Sequence, residues 1–460
     1  MSPEEFRRYG HEVVDWIAGY LARPESYPVL PRVQPGELID ALPRCGPEQG
    51  EPMEVILEDF RSRILPGITH WNHPGFMGYF AVTSSGPGIL GEMLIAALNV
   101  NGMLWKSAPA ATELEQVTLD WLRDWLGLPA PRFGLILDTA STSTLHAIAA
   151  ARQAADPATR VEGGARNLVL YTSEQAHSSV EKGAIALGIG QNNLRKIAVD
   201  AEFRMRPDVL EASIERDVAA GLKPFCVVPT VGTTSTTAID PVPAIAAIAG
   251  RHGLWMHVDA AYAGTAALVP ELRWVLEGCE HADSLVVNPH KWLATPIDAS
   301  VLYTRRPQAL RDAFSLVPEY LRTSEDQRTV NLMDYGVPLG RRFRALKLWF
   351  VMRWYGREGL AARIRDHVAC ARRLVELIRA EPDFTLCAPA PLSLVCFRYC
   401  GTDEQNRELL DRVNSTGEVF LSHTVLDGRF VLRLAVGNYS TCWRHVERGW
   451  ELVRETARRL

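Results

Sequence analysis

Two residues of this sequence stand where chemistry is most readily done, each at the end of an apolar run. Leu254-Trp255-Met256-His257-Val258-Asp259-Ala260-Ala261-Tyr262-Ala263-Gly264 has a buried-strand pattern that delivers an acid, Asp259, followed by small residues. Ser284-Leu285-Val286-Val287-Asn288-Pro289-His290-Lys291-Trp292 delivers Asn288, His290 and Lys291 in a tight proline-containing turn. In an α/β sheet, ligands lie beyond the carboxyl ends of the strands, so both runs point at one crevice. Taken singly, an acid at a strand end is most often a cap, and a lysine is most often solvated. Lys291, however, lies between two apolar stretches, where an idle ammonium is costly. A lysine that forms a Schiff base with an aldehyde, beside a carboxylate that keeps a pyridine nitrogen protonated, suits pyridoxal 5′-phosphate.

Such a cofactor needs its phosphate anchored. Asp138-Thr139-Ala140-Ser141-Thr142-Ser143-Thr144 precedes a helical run at 145–152. A turn rich in backbone N–H groups and hydroxyls that leads into a helix is a phosphate site, although a Ser/Thr cluster there also serves as an ordinary N-cap.

The elements that must position these residues are legible in outline. From about 76 to 355, apolar strands and helical stretches alternate, which predicts a mostly parallel sheet in an α/β large domain. Strands are expected at 167–172, 225–229, 254–258, 284–287 and 300–304, and helices at 207–219 and 241–250. Thr112-Glu113-Leu114-Glu115 reads as the capping box that opens another helix. Residues 1–75 begin with the helix-start signal Ser2-Pro3-Glu4-Glu5. They are rich in proline and helix fragments, lack a strand partner of their own, and are expected to pack on another subunit. Residues 356–460 read as a small α+β domain, with strands at 393–399, 419–423 and 430–434 and a closing helix at 441–459.

Composition bounds the rest. A 47% hydrophobic and 22% charged chain is globular, and a net charge of −5 gives no reason to expect nucleic acid or an anionic membrane as partner. With no membrane-span-length apolar run and no signal-peptide core near Met1, the expectation is a cytoplasmic protein. The eight cysteines contain no Cys-x-x-Cys pair. Cys396 and Cys400 share one face of a predicted strand, where buried free thiols are expected rather than a metal site.

The longer motifs carry a resemblance. His257-Val258-Asp259-Ala260-Ala261-Tyr262-Ala263-Gly264 and Asn288-Pro289-His290-Lys291-Trp292 resemble signatures of the aromatic-L-amino-acid decarboxylases, in the group II pyridoxal-phosphate decarboxylases. So do Glu5-Phe6-Arg7-Arg8, Thr69-His70-Trp71, Gln175-Ala176-His177-Ser178-Ser179-Val180-Glu181 and Pro338-Leu339-Gly340-Arg341-Arg342-Phe343-Arg344. The resemblance spans nearly the whole chain. It implies fold type I: a seven-stranded, mostly parallel central sheet with helices on both faces, an N-terminal helical flap and a small C-terminal domain. It also implies a homodimer whose active site is shared across the interface.

In that family Lys291 would carry the cofactor, Asp259 would pair with the pyridinium, His177 would stack on the ring, Ala261 would pack on a ring face, and Thr234 would place a hydroxyl near the ring oxygen. Thr139, Ala140 and Ser141 would hold the phosphate, helped by Asn288 and His290. Relatives often carry Gly where Asp138 stands, and an acid beside a phosphate is unfavourable unless its side chain turns away. Tyr320, at the base of the polar stretch Arg322-Thr323-Ser324-Glu325-Asp326-Gln327-Arg328-Thr329, matches the tyrosine that protonates Cα. That stretch is expected to be a mobile lid.

The reaction implied is decarboxylation of an aromatic L-amino acid (tryptophan, 5-hydroxytryptophan, DOPA, tyrosine or phenylalanine) to its amine. Trp71, Phe80, Asn101, Met103 and Gly340 match the side-chain pocket, with Asn101 and Met103 contributed by the partner. Gly340 leaves room for a large ring. Asn101 replaces an aliphatic residue, Met103 an aromatic one and Ala81-Val82 a Pro-Thr, and Asn101 could accept an indole N–H or a phenol. The alternatives on the same fold are an aromatic aldehyde synthase, which typically carries Phe at the position of Tyr320, a histidine decarboxylase, or an aminotransferase. A non-catalytic relative is disfavoured by the intact Asp259 and Lys291, and a dinucleotide-binding dehydrogenase by the lack of an early Gly-x-Gly-x-x-Gly.

Overall fold

The computed structural model describes residues 1–165, 167–316, 325 and 328–460. Its central sheet is built from runs of apolar residues that helices cover on both faces, as a sheet of parallel strands requires. The strands are β1 (Phe133–Leu137), β2 (Leu168–Ser173), β3 (Leu194–Ile197), β4 (Lys223–Val228), β5 (Trp255–Asp259), β6 (Ser284–Val287) and β7 (Ser300–Thr304), in the spatial order β1-β7-β6-β5-β4-β2-β3. Only β7 runs against the others. The connection 288–299 turns straight back instead of crossing over a face of the sheet. A parallel neighbour would need a crossover. The direct return keeps the turn that carries Lys291 at the carboxyl end of β6, beside the end of β5.

Five of these strands fall within two residues of the sequence expectation; β1 and β3 were not anticipated. Three local expectations fail for identifiable reasons. The helix around Thr112 starts earlier, at Pro109, with Ala108 as its cap, so Thr112 and Glu115 lie inside it and are buried. Thr112 donates back to the Ala108 carbonyl, and Glu115 accepts the Ile136 N–H (2.8 Å) and pairs with Arg341 (2.7 Å). The glutamate is therefore a core acid, not a capping-box partner.

The second sheet is antiparallel in the order β10-β11-β9-β8, from β8 (Phe384–Leu386), β9 (Leu394–Tyr399), β10 (Ser422–Leu426) and β11 (Arg429–Ala435). Helices Asp403–Ser415 and Trp443–Ala457 pack on it, with Trp450 against Phe384 and Phe397. The strand expected at 419–423 begins at Ser422 instead, because Phe420 exchanges hydrogen bonds with the incoming chain at Gly75 and Met77. Cys396 is buried in β9, whereas Cys400 lies past the strand end and is exposed, so the two do not share a buried face. The long helix Ala345–Ala380 joins the two sheets and breaks at Gly356, whose φ of 62° takes the chain out of helical geometry.

Ser2 caps the first helix, Pro3–Ala22, through a complete capping box. None of that helix is buried, and Phe6, Val13 and Val14 are exposed. A second uncovered apolar row, Leu90, Met93, Leu94 and Leu98, lies on the helix Gly86–Leu98. Among the described residues, no helix is long and apolar enough to cross a membrane.

Candidate active site

At the carboxyl ends of β4, β5 and β6 a cavity of about 160 Å³ opens, lined by Phe80, Thr139, Ala140, Ser141, His177, Thr230, Gly232, Thr234, Asp259, Ala261, Tyr262, Asn288, His290 and Lys291. It thus gathers all ten cofactor-contacting residues expected from the sequence, together with Phe80. Larger clefts open elsewhere, but the one of about 380 Å³ beside Trp274 and Pro389 holds no lysine.

Asp259 is the last residue of β5 and is nearly buried; its carboxylate accepts the Ala261 N–H (3.1 Å). Lys291 sits in the single helical turn Pro289–Trp292, its Nζ 5.6 Å from the centre of the Phe80 ring. Desolvation lowers the Lys291 pKa, against the opposing pull of the Asp259 carboxylate. Phe80, Tyr262 and Trp292 stack in one column, with centroids 3.7 and 4.7 Å apart, and wall the lysine on its apolar side. Gly232, with φ of 89°, is required for the close approach of its loop: a Cβ there would come 2.5 Å from that of Ala263.

His177 stands at the cavity mouth. Its Nδ1 accepts the Ser179 N–H (3.1 Å), which leaves Nε2 as the free nitrogen of the ring. Partial burial lowers its pKa, with Asp259 pulling the other way. His290 is held more firmly. The Ala299 N–H donates to its Nδ1 (3.0 Å), and burial pushes its pKa down to about 4. The neutral ring must then carry its proton on Nε2, which lies 3.3 Å from the Asn288 carboxamide. A ring N–H needs the carboxamide oxygen as its acceptor, which turns the Asn288 NH2 to the side that has no partner among the described residues.

These donors fit an anion. The helix Ala140–Ala155 begins inside the Ser/Thr cluster, with Thr139 as its N-cap, so its first N–H groups face the cavity end. The buried Thr230 hydroxyl also lacks a partner among the described residues. Asp138 does turn aside: its carboxylate takes the N–H and the hydroxyl of Thr139. An orphaned hydroxyl, an amide NH2 and a helix N-terminus at one end, with an acid and a desolvated lysine at the other, match the phosphate and the ring of pyridoxal phosphate.

Four expected pocket residues do not line the cavity. Trp71 stacks on Phe76 (4.3 Å) and, more distantly, on Tyr79, and is partly exposed. Asn101, Met103 and Gly340 form a separate surface group. The Arg341 N–H donates to Asn101 Oδ1 (2.9 Å), Asn101 Nδ2 lies 3.5 Å from Met103 Sδ, and a Cβ on Gly340 would meet only the Asn101 carboxamide, at 3.9–4.0 Å. Gly340 therefore travels with Asn101 and Met103. Tyr320 and most of the expected lid, Arg322 included, lie outside the described residues.

Thr230, Gly232 and Tyr262 were not anticipated as site residues. A signal for the first two existed: they follow directly on the apolar run of β4, at the same carboxyl edge as Asp259.

Comparison with known proteins agrees with this chemistry. Residues 35–400 match the pyridoxal-dependent decarboxylase conserved domain. A tryptophan decarboxylase of Camptotheca acuminata is 44% identical, over 99% of this chain and 95% of its own. A phenylacetaldehyde synthase of Arabidopsis thaliana is 42% identical, over 99% and 96%. The crystal structure of Oryza sativa TDC with PLP and tryptamine superposes with a TM-score of 0.96 at 40% identity, over 100% of this chain and 99% of that one. The chain is a fold-type-I, pyridoxal-phosphate-dependent enzyme that belongs to the aromatic amino acid decarboxylase family.

Proposed function

We propose that this enzyme is a homodimer that converts aromatic L-amino acids to their amines and carbon dioxide. The observation that carries the reading is the convergence of Lys291, Asp259 and His177 with an anion cradle in one cavity. Bound pyridoxal phosphate supplies an electron sink for the pair left at Cα when carbon dioxide departs. Lys291, whose pKa desolvation lowers, would hold the cofactor through its aldehyde, and the lowered pKa favours the neutral amine which that role requires. Asp259, nearly buried, would hold the proton on the pyridine nitrogen. His177 would stack on the ring and, because its Nδ1 accepts the Ser179 N–H, its neutral form keeps an Nε2–H free to donate. Thr139, Ala140, Ser141, Asn288 and His290 would hold the phosphate, Ala261 would pack on the ring, and Thr234 would lie near the ring oxygen.

In this reading the substrate ring lies outside the cofactor cavity. Trp71 and Phe80 form one wall, and Asn101, Met103 and Gly340 of the neighbouring protomer form the other. Two observations support sharing. The cavity, at about 160 Å³, is lined by the expected cofactor contacts and by none of Trp71, Asn101, Met103 and Gly340. The uncovered apolar row Leu90, Met93, Leu94 and Leu98 leads directly into Asn101, and the first helix, in segment 1–75, has no buried residue. Large exposed apolar rows mark association surfaces.

Aldehyde formation is the second reading, favoured by the aldehyde-forming relative. Tyr320 of this sequence opposes it, since a phenol can deliver a proton to Cα before dioxygen reacts there. The test is to incubate purified protein and pyridoxal phosphate with L-tryptophan, 5-hydroxytryptophan, DOPA, tyrosine, phenylalanine and histidine, and to measure amine, aldehyde, peroxide and oxygen uptake. Amine without oxygen uptake is expected. Tyr320→Phe should slow amine release and yield aldehyde, ammonia and peroxide. Amine made by Tyr320→Phe at the wild-type rate, with no oxygen consumed, would remove Tyr320 from the proton-donor role.

A further inference from the structure

Asn101 stands in a fixed orientation that has a consequence for substrate choice. Its carboxamide oxygen accepts the backbone N–H of Arg341 at 2.9 Å. A backbone N–H can only donate, so this bond decides which end of the amide is the oxygen. Arg341 is itself immobilised: its guanidinium is buried against Glu115 (2.7 Å) and the Ile136 carbonyl (3.0 Å), and its carbonyl accepts the Gly102 N–H (2.8 Å). The amide therefore cannot turn over without breaking a bond to a rigid backbone. The remaining end is the NH2, whose partner among the described residues is the weak acceptor Met103 Sδ at 3.5 Å. Asn101 is exposed, and among the described residues nothing else lies within 4 Å of where a Gly340 Cβ would stand beside it. The group offered by this wall is a hydrogen-bond donor, not an acceptor.

Resting on the proposed reading, in which this wall closes the neighbouring protomer's site, we infer that Asn101 selects ring-hydroxylated aromatic amino acids. A phenol or catechol oxygen accepts from the Asn101 NH2. The indole N–H of tryptophan is itself only a donor and meets a second donor there, and the phenylalanine ring offers no acceptor. Tyrosine, DOPA and 5-hydroxytryptophan are thus favoured over phenylalanine and tryptophan. A neutral hydrogen bond of this kind corresponds to roughly five- to tenfold in kcat/KM.

The experiment compares kcat/KM for tyrosine against phenylalanine and for 5-hydroxytryptophan against tryptophan, together with the Kd of tyramine against phenethylamine. In the wild-type holoenzyme all three ratios should favour the hydroxylated member by about fivefold or more. In Asn101→Leu they should collapse to about one. Asn101→Asp keeps the bond to Arg341 but replaces the donor with an acceptor, and should raise tryptophan relative to phenylalanine several-fold. Ratios near one in the wild type, ratios that survive Asn101→Leu, or equal losses on every substrate in both variants would each overturn the role of Asn101 while leaving a decarboxylase. No amine from any aromatic amino acid would instead overturn the underlying reading, and this inference with it.

Discussion

Desolvation draws the Lys291 ammonium below its ordinary pKa, while the Asp259 carboxylate pulls it back. The first effect favours the neutral amine; the second opposes it. Lys291→Ala should therefore abolish multiple turnover and remove the visible absorbance of the lysine-bound cofactor. Asp259→Asn keeps the shape but loses the charge that retains the ring proton. It should lower kcat by roughly two to three orders of magnitude, the range seen when one preorganised charge-stabilising partner is removed, with cofactor still detectable by its fluorescence. A kcat within about threefold of wild type would remove Asp259 from the electrostatic role. Residues of this type are legible in a sequence because an acid and a lysine at the ends of apolar runs need a reason to be there. Thr230 carried only the weak signal of its place after the apolar run of β4, since a threonine after a strand is ordinary until its buried hydroxyl is found without a partner among the described residues. The bond between Asn101 and Arg341 was equally hidden, because it joins distant segments and depends on which end of an amide is pinned.

The helices Gly86–Leu98 and Ala345–Ala380 pack so closely that a Cβ on Gly91 would come 2.7 Å from the Lys347 Cα. The contact buries Lys347 completely, and its ammonium survives there through Glu92, which also binds Arg342. Burial lowers the Lys347 pKa, and Glu92 opposes the shift. Glu92→Gln should destabilise the fold by about 2 kcal/mol, because it leaves a buried cation unmatched. Adding Lys347→Met should restore much of that loss in denaturant unfolding. If the single variant is as stable as wild type, the pair does not hold these helices. In the proposed reading this helix pair matters for function, because one helix leads into Asn101 and the other follows Gly340 to Arg344. Strands of the central sheet were readable from their apolar runs, and the helix at Pro207–Ala219 from its proline start. Errors came where tertiary contacts overrode local signals. Glu115 has the spacing of a capping box but is claimed by Arg341 and the Ile136 N–H, and 419–421 has strand character but is claimed by the chain at 75–77.

At the scale of the molecule, six buried imidazoles set the response to acid. Burial pushes His73, His257 and His290 down to about 4 and His367 to about 3, and it lowers His70 and His146 in the same direction. In the unfolded chain each titrates near 6.5. Below that value the unfolded state binds more protons than the folded one, so the stabilisation present above pH 6.5 is lost as the pH falls toward 4. Asp240 acts the other way. Burial raises it to about 6, so it favours the folded state in acid, and that contribution is lost as the pH rises through 6. Six histidines against one carboxyl leave a net loss. Between pH 7 and pH 5, a window above most carboxylate titrations, the unfolding free energy should fall by about 6 kcal/mol at 1.36 kcal/mol per pKa unit. His257→Gln should flatten that slope by about one proton, since His257 is fully buried and bound only to Ser284 Oγ at 2.9 Å among the described residues. Urea titrations at pH 7, 6 and 5 measure both quantities. A flat or rising stability on acidification would mean that these imidazoles are already protonated in the folded enzyme, and that His290 cannot take the neutral tautomer that turns the Asn288 amide toward the phosphate.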